Sequence, residues 1–226
     1  MTTLVLATRN AHKVQEIRSI LADHFRYLTL EAFPEAPKVI EDQPTFTDNA
    51  VKKARGLARW LQHLPGMELR IPGASASVLA DDSGLEVDAL GGAPGVHSAR
   101  FTALEEAGAS PLQNSPDAAN NEKLLRLLKD VPLEKRTARF RCVLSIIRVK
   151  PPEAVLAGQL FEGVCEGHIQ FAPAGGGGFG YDPLFVPRGQ QQSFAELGED
   201  VKNSLSHRAQ ALINMRTYLE KLVMWS

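Results

Sequence analysis

Asp81 and Asp82 follow the apolar run Val78-Leu79-Ala80 and precede Ser83-Gly84. Carboxylates are hard oxygen ligands suited to Mg2+, and one of them can orient an attacking water. Neighbouring residues of a strand point to opposite faces, so one aspartate is expected to face a cleft and the other to face away. The pattern leaves open which does so. The apolar strand is expected to stop at the pair, and Glu41 and Asp42, in a separate connection, can complete the acidic cluster.

Three further segments suit a phosphorylated, ring-bearing ligand. Thr8-Arg9-Asn10-Ala11-His12-Lys13 lies at a strand-to-helix junction, where backbone N–H groups and the positive end of the helix dipole favour phosphate. Lys13 adds a mobile charge there, although plain capping by Asn10 beside an exposed Lys13 explains the same residues. No P-loop is present, because its glycines are missing. Gly175 to Gly178 lead into Phe179-Gly180-Tyr181-Asp182-Pro183, and an aromatic set among glycines can lie open enough to stack a flat base. Lys202, His207 and Arg208 are expected at the start of the last helix, with Ser204 or Ser206 as its cap. Cations there oppose the dipole, a cost that an acceptor-rich ligand would offset.

The elements that must position these residues follow from periodicity. Residues 3–7 read as a buried strand, and Val14, Ile17, Ile20 and Leu21 as a helix to about residue 24. Tyr27 to Leu30 suggest a strand. A second helix begins near Thr45 or Asp48 and carries Ala50, Ala54, Leu57, Ala58 and Leu61. Residues 63–77 read as a loop, and Asn114 to Asp117 offer caps for a helix through Leu128. Two β-rich runs, 137–149 and 154–166, are broken by Pro151-Pro152 as in an antiparallel pair. The last helix places Leu205, Ala209, Leu212, Arg216, Leu219 and Val223 on one side. This order of elements implies an α/β fold with a mixed sheet.

The 226 residues suit one large or two-lobed domain rather than an array. A net charge of -1 excludes a broadly basic face for nucleic acid, and no apolar run approaches a membrane span. Cys142 and Cys165 lack metal-type spacing and are expected to be reduced core thiols. No basic-then-apolar leader opens the chain, so an intracellular protein is expected.

Together the segments resemble the inosine triphosphate pyrophosphatase family, the XTP/dITP diphosphatases, along nearly the whole chain. The pieces are Leu6 to Asn10 with Lys13, Thr45-Phe46 with Asn49-Ala50, Ala80 to Leu85, Gly91 to Val96 with Ser98 to Phe101, Gly177 to Pro183, and Ser206-His207-Arg208. The resemblance implies a single two-lobed domain over residues 1–226, an elongated mixed sheet flanked by helices, and a central substrate cleft. It implies Mg2+-dependent hydrolysis of ITP, dITP and XTP to the monophosphate and pyrophosphate, by a cytoplasmic homodimer. On this likeness Thr8, Arg9, Asn10, Ala11, His12 and Lys13 hold the triphosphate, and Asp82 accepts the proton and shares the metal. Ser83 touches the substrate, Phe179, Gly180, Tyr181 and Asp182 form the base pocket, and Lys202, His207 and Arg208 close it. The run Ile40-Glu41-Asp42-Gln43-Pro44 departs from the family pattern of two acids followed by glycine, leaving Glu41 as the expected second metal ligand and Asp42 as the alternative. The loop 63–77 is longer than usual and reads as a surface insertion. A Maf-like nucleotide pyrophosphatase would share the acidic cluster but need another base pocket, and a non-catalytic sensor would bind without releasing pyrophosphate.

Overall fold

The computed structural model describes residues 2–71, 76–104, 113–149 and 158–224. In chain order the elements are β1 (Thr3–Leu6), α1 (Ala11–Leu21), β2 (Arg26–Leu28), α2 (Phe46–Gln62), α3 (Met67–Arg70), β3 (Ala76–Val87), α4 (Asp117–Leu127), β4 (Thr137–Arg148), β5 (Gly158–Ile169), β6 (Phe185–Pro187), α5 (Phe194–Leu205) and α6 (His207–Met224). They form one sheet of order β2-β1-β3-β4-β5-β6 with flanking helices. Strand β1 runs parallel to both β2 and β3, whereas β5 and β6 are antiparallel, so the expected mixed sheet is present. No helix among the described residues is long and apolar enough to cross a membrane.

Two compact units divide the chain. The first comprises Met1–Asp82, Val143–Glu162 and Ala211–Ser226, and the second Ser83–Cys142 and Gly163–Gln210. In the first unit, Thr45 caps α2 by accepting the Asp48 N–H at 3.1 Å. One stripe of that helix (Ala54, Leu57, Ala58 and Leu61) packs on Val5, Val78 and Ala80. Even-numbered residues of β3 therefore face α2, and odd-numbered ones face the other way. In the second unit, Leu85, Val87, Phe140, Phe185 and Phe194 share a core with Leu124 and Tyr181. Both cysteines are free and buried, as expected. Burial pushes the Cys165 thiol up to about 11, so it is uncharged at neutral pH.

Several boundaries differ from the sequence expectation. Strand β3 does not stop before the aspartates but runs on to Val87, because half-buried Lys13 and buried Lys53 compensate the carboxylates inside it. Ser193 and Glu196 form a capping box that opens α5, a helix the periodicity did not reveal because Gly198 (φ 80°) breaks it. Lys202 consequently lies in the last turn of α5, where the dipole favours a cation, and not at the start of α6. Ser206 separates the two helices, and its hydroxyl accepts the Ala209 N–H at 3.2 Å. The buried side of α6 is Ala209, Ala211, Leu212 and Met215; Leu205 belongs to α5 and is exposed, and the Val223 side chain lies outside the described residues. Pro116 precedes α4 without any side-chain cap. The expected loop at 63–77 contains the short α3 and the start of β3; residues 72–75 lie outside the described residues, as do Pro151, Pro152 and the expected start of the β-run at 154.

Arg136 holds the second unit together from inside. It is 2% exposed, and its guanidinium donates to Leu128 O at 2.6 Å, Val131 O at 2.9 Å and Gln170 O at 3.1 Å. The Phe171 ring covers it at 4.1 Å. Arg136→Ala strands these carbonyls, so a loss on the order of 3 kcal/mol is expected, read as a lower denaturation midpoint in urea at unchanged slope. A midpoint equal to wild type would mean that water replaces the guanidinium.

Candidate active site

The first cluster grows from where β1 ends. Leu6 pairs with Leu79, and the Ala7 N–H still donates to Leu79 O at 2.8 Å, so the chain leaves the sheet beside Ala80 and Asp81. Ligand sites of parallel sheets form at such carboxyl ends. Thr8 Oγ1 accepts the Asn10 N–H at 3.1 Å, and Asn10 Oδ1 accepts the Lys13 N–H at 3.1 Å, making Asn10 the N-cap of α1. Lys13 is not an exposed charge: its ammonium pairs with buried Asp81. Arg9, Ala11 and His12 are exposed, with the Arg9 guanidinium donating to Ala36 O at 3.3 Å.

Asp82, on the opposite face of β3, meets a residue that the sequence reading missed. Lys53 of α2 is 7% exposed and donates to Glu41 Oε1 at 2.7 Å, to the backbone oxygen of Asp81 at 2.6 Å and to Asp82 Oδ1 at 3.3 Å. Its signal was present: Lys53 occupies the apolar stripe shared by Ala50, Ala54 and Leu57, where a cation needs a buried partner. Asn49 fixes the acidic segment, its Oδ1 accepting the Gln43 N–H at 3.0 Å and its Nδ2 donating to Gln43 O at 3.3 Å. Glu41 is thereby brought into the cluster, while Asp42 turns outward to Lys52 at 2.5 Å.

Three carboxylates (Glu41, Asp81, Asp82) face two ammoniums (Lys13, Lys53), a surplus of one negative charge. Burial pushes the Asp82 carboxyl above the ordinary carboxylate range, and Lys53 and Lys13 only partly oppose this. Burial alone would lower Lys53, but Asp82, Glu41 and Asp81 outweigh it and hold the ammonium above its usual value. Asp82 Oδ2 is buried and accepts no hydrogen bond among the described residues. No group of three or more His, Cys, Asp or Glu able to hold a metal occurs among them. Two carboxylates with an unpartnered oxygen and surplus charge therefore fit a Mg2+ ion that takes its remaining ligands from phosphate and water.

The second unit holds the other predicted residues. Asp182, 2% exposed, accepts the Phe179 N–H at 2.8 Å and the Lys202 ammonium at 2.5 Å, both on Oδ2. Lys202 also lies 4.4 Å from the centre of the Phe179 ring, with the Arg208 guanidinium at 5.9 Å. Gly178 (φ 73°) is required here, because a Cβ would strike the Asp182 carboxylate. Arg208 is 1% exposed and donates to Ser83 Oγ at 2.8 Å, and His207 stacks on Phe140 at 4.8 Å. The aromatic set is less open than expected. Tyr181 is a core residue whose hydroxyl donates to Ser98 O at 2.9 Å; burial, with the nearby Asp117 charge, keeps its phenol protonated far above neutrality. Phe179 alone is only partly buried, and it is the ring that can stack on a ligand.

The Ham1 family profile matches residues 4–218. The dITP/XTP pyrophosphatase of Shouchella clausii (strain KSM-K16) is 42% identical over 220 residues, covering 97% of this chain and 98% of its own. That of Geobacter sulfurreducens (strain ATCC 51573 / DSM 12127 / PCA) is 44% identical over 220 residues, 97% of each chain. Among solved structures, a HAM1 protein from Coxiella burnetii superposes with a TM-score of 0.77 at 34% identity, covering 98% of this chain and 100% of that one. The Staphylococcus aureus Ham1 protein gives 0.74 at 32% identity, covering 97% and 98%. With this similarity running from the first strand into the last helix, the chain belongs to the Ham1 family.

Proposed function

We infer that this chain is a nucleoside triphosphate pyrophosphatase that hydrolyses the non-standard purine nucleotides ITP, dITP and XTP to the monophosphate and pyrophosphate. One observation carries the reading: Glu41 and Asp82 gathered on Lys53, in a chain whose relatives are named dITP/XTP pyrophosphatases. The α1 N-terminus and Lys13 receive the triphosphate, whose roughly four negative charges such a site must balance. Asp82 takes a proton from water as its oxygen bonds to the α-phosphorus, the bond from that phosphorus to the bridging oxygen breaks, and pyrophosphate departs. Lys53 holds Glu41 and Asp82 in place throughout. Glu41 and Asp82 would hold Mg2+, which when bound neutralises phosphate charge and polarises the phosphoryl oxygens.

Phe179 stacks the base, and Asp182, Lys202, His207 and Arg208 frame it. Hypoxanthine and xanthine present an acceptor oxygen at C6, which matches the donors of His207 and Arg208, whereas adenine presents an amino group. A hydrogen-bonding site can discriminate such a mismatch by roughly 10⁴-fold. The resemblance further implies a cytoplasmic homodimer.

The test is a panel of purine and pyrimidine triphosphates assayed for pyrophosphate and orthophosphate, with Mg2+ and with excess chelator. Pyrophosphate released from ITP, dITP and XTP at least 10²-fold more efficiently than from ATP, and abolished by chelation, is the expected result. Preference for a modified pyrimidine would favour a Maf-like activity, and binding without product would favour a sensor.

A further inference from the structure

We propose that Asp117 and Asn121 of α4 are specificity-positioning residues that set the base pocket by gripping the Gly180 backbone from both sides. The Asp117 carboxylate accepts the Gly180 N–H at 2.6 Å, and Asn121 Nδ2 donates to the Gly180 carbonyl at 2.9 Å. The two side chains are four residues apart on one helix, hence on one face. Within the Phe179–Asp182 turn, Gly180 thus has both its backbone N–H and its carbonyl held by side chains of one helix. This inference rests on the nucleotide-hydrolase reading given above.

Three physical features support it. A segment with four consecutive glycines has little stiffness of its own, so a pocket built on it discriminates between bases only if other elements hold it. Gly180 itself is at φ 62°, and a Cβ there would meet nothing within 4 Å, so no neighbour crowds it on that side, and the two side-chain bonds hold its peptide groups. Helix stability alone does not account for where either side chain reaches. Asp117 stands in the first turn of α4, where no side chain caps the helix, yet its carboxylate reaches a residue 63 positions away. Asn121 is 8% exposed and leaves its own Oδ1 buried without a partner among the described residues. An unsatisfied buried acceptor is destabilising, and the bond to Gly180 is what the side chain makes in exchange.

The grip acts one residue from the Phe179 ring, so losing it lets the stacking ring and the Gly180 peptide drift. The discriminating experiment compares kcat and KM for ITP and ATP in wild type, Asp117→Ala, Asp117→Asn and Asn121→Ala. In the alanine variants kcat/KM for ITP falls about 10-fold, mainly through KM, with ATP hydrolysis little changed, so the ITP:ATP ratio falls by the same factor. Asp117→Asn keeps an acceptor oxygen for the Gly180 N–H and restores the ratio. Asp117 is exposed, so Asp117→Ala remains a fair test if Asn121→Ala fails to fold. An unchanged ratio in a folded Asp117→Ala protein, or equal loss for ITP and ATP, overturns the proposal while leaving the hydrolase reading intact. A wild-type enzyme that itself treats ATP and ITP alike overturns that reading and this inference with it.

Discussion

The Asp82→Asn protein is expected to fold and bind nucleotide yet release pyrophosphate at least about 10³-fold more slowly than wild type. The amide matches the carboxylate in shape and still accepts a hydrogen bond from Lys53, 3.3 Å away. It cannot take a proton from water, and it is a poor ligand for Mg2+ beside Glu41. The substitution also removes one negative charge from a cluster that carries a surplus, so the thermal midpoint should not fall. Single-turnover pyrophosphate release, calorimetric nucleotide binding and a thermal melt separate these effects. Turnover within 10-fold of wild type from a folded variant would falsify the role given to Asp82. Asp81 is no substitute in this scheme, since it faces the other side of β3 and is paired with Lys13.

Lys53→Met carries a second large effect, on stability as well as on turnover. The ammonium joins Glu41, Asp82 and the Asp81 backbone oxygen. Removing one partner of a buried ion pair leaves an uncompensated charge, at a cost of about 3–5 kcal/mol. Glu41, with its side chain 38% exposed, can turn to water, so most of the cost falls on Asp82, whose side chain is 8% exposed. For a chain of this size the thermal midpoint should drop by about 6–20 °C. Adding Asp82→Asn to Lys53→Met removes the stranded charge and should recover more than half of the loss, while neither variant hydrolyses ITP at a useful rate. Two independent, additive losses in the double-mutant cycle would show that Lys53 and Asp82 do not interact.

Neither effect follows from local sequence alone, and the boundary between what was legible and what was not is a physical one. Local signals were reliable where the partner lies within a helical turn. Thr45 caps α2 through Asp48, Asn10 caps α1 through Lys13, and the Val78 to Ala80 run is a strand. The same signals failed where a distant group intervenes. Two adjacent aspartates look like the end of a strand, but Lys13 and Lys53 reach them from 68 and 29 residues away and let β3 continue. Asp117 looks like a helix cap until Gly180 claims its carboxylate. Lys202 looks misplaced against a helix dipole until the break at Ser206 puts it in the last turn of α5 rather than the first of α6.

The sequence by itself determined the fold class, the order of the elements and the family, because periodicity, caps and motif order are properties of neighbouring residues. It also contained Lys53, as a cation on an apolar stripe, without saying what that cation meets. Local pattern could not choose the aspartate that stands with Glu41, because strand alternation separates Asp81 from Asp82 without choosing between the faces; the family resemblance points to Asp82, and the tertiary structure gives the physical reason. That choice is made by α2, whose packing on Val78 and Ala80 carries Lys53 to Asp82. Charge pairing across such distances depends on how elements pack, and a linear sequence specifies that packing only through the whole fold.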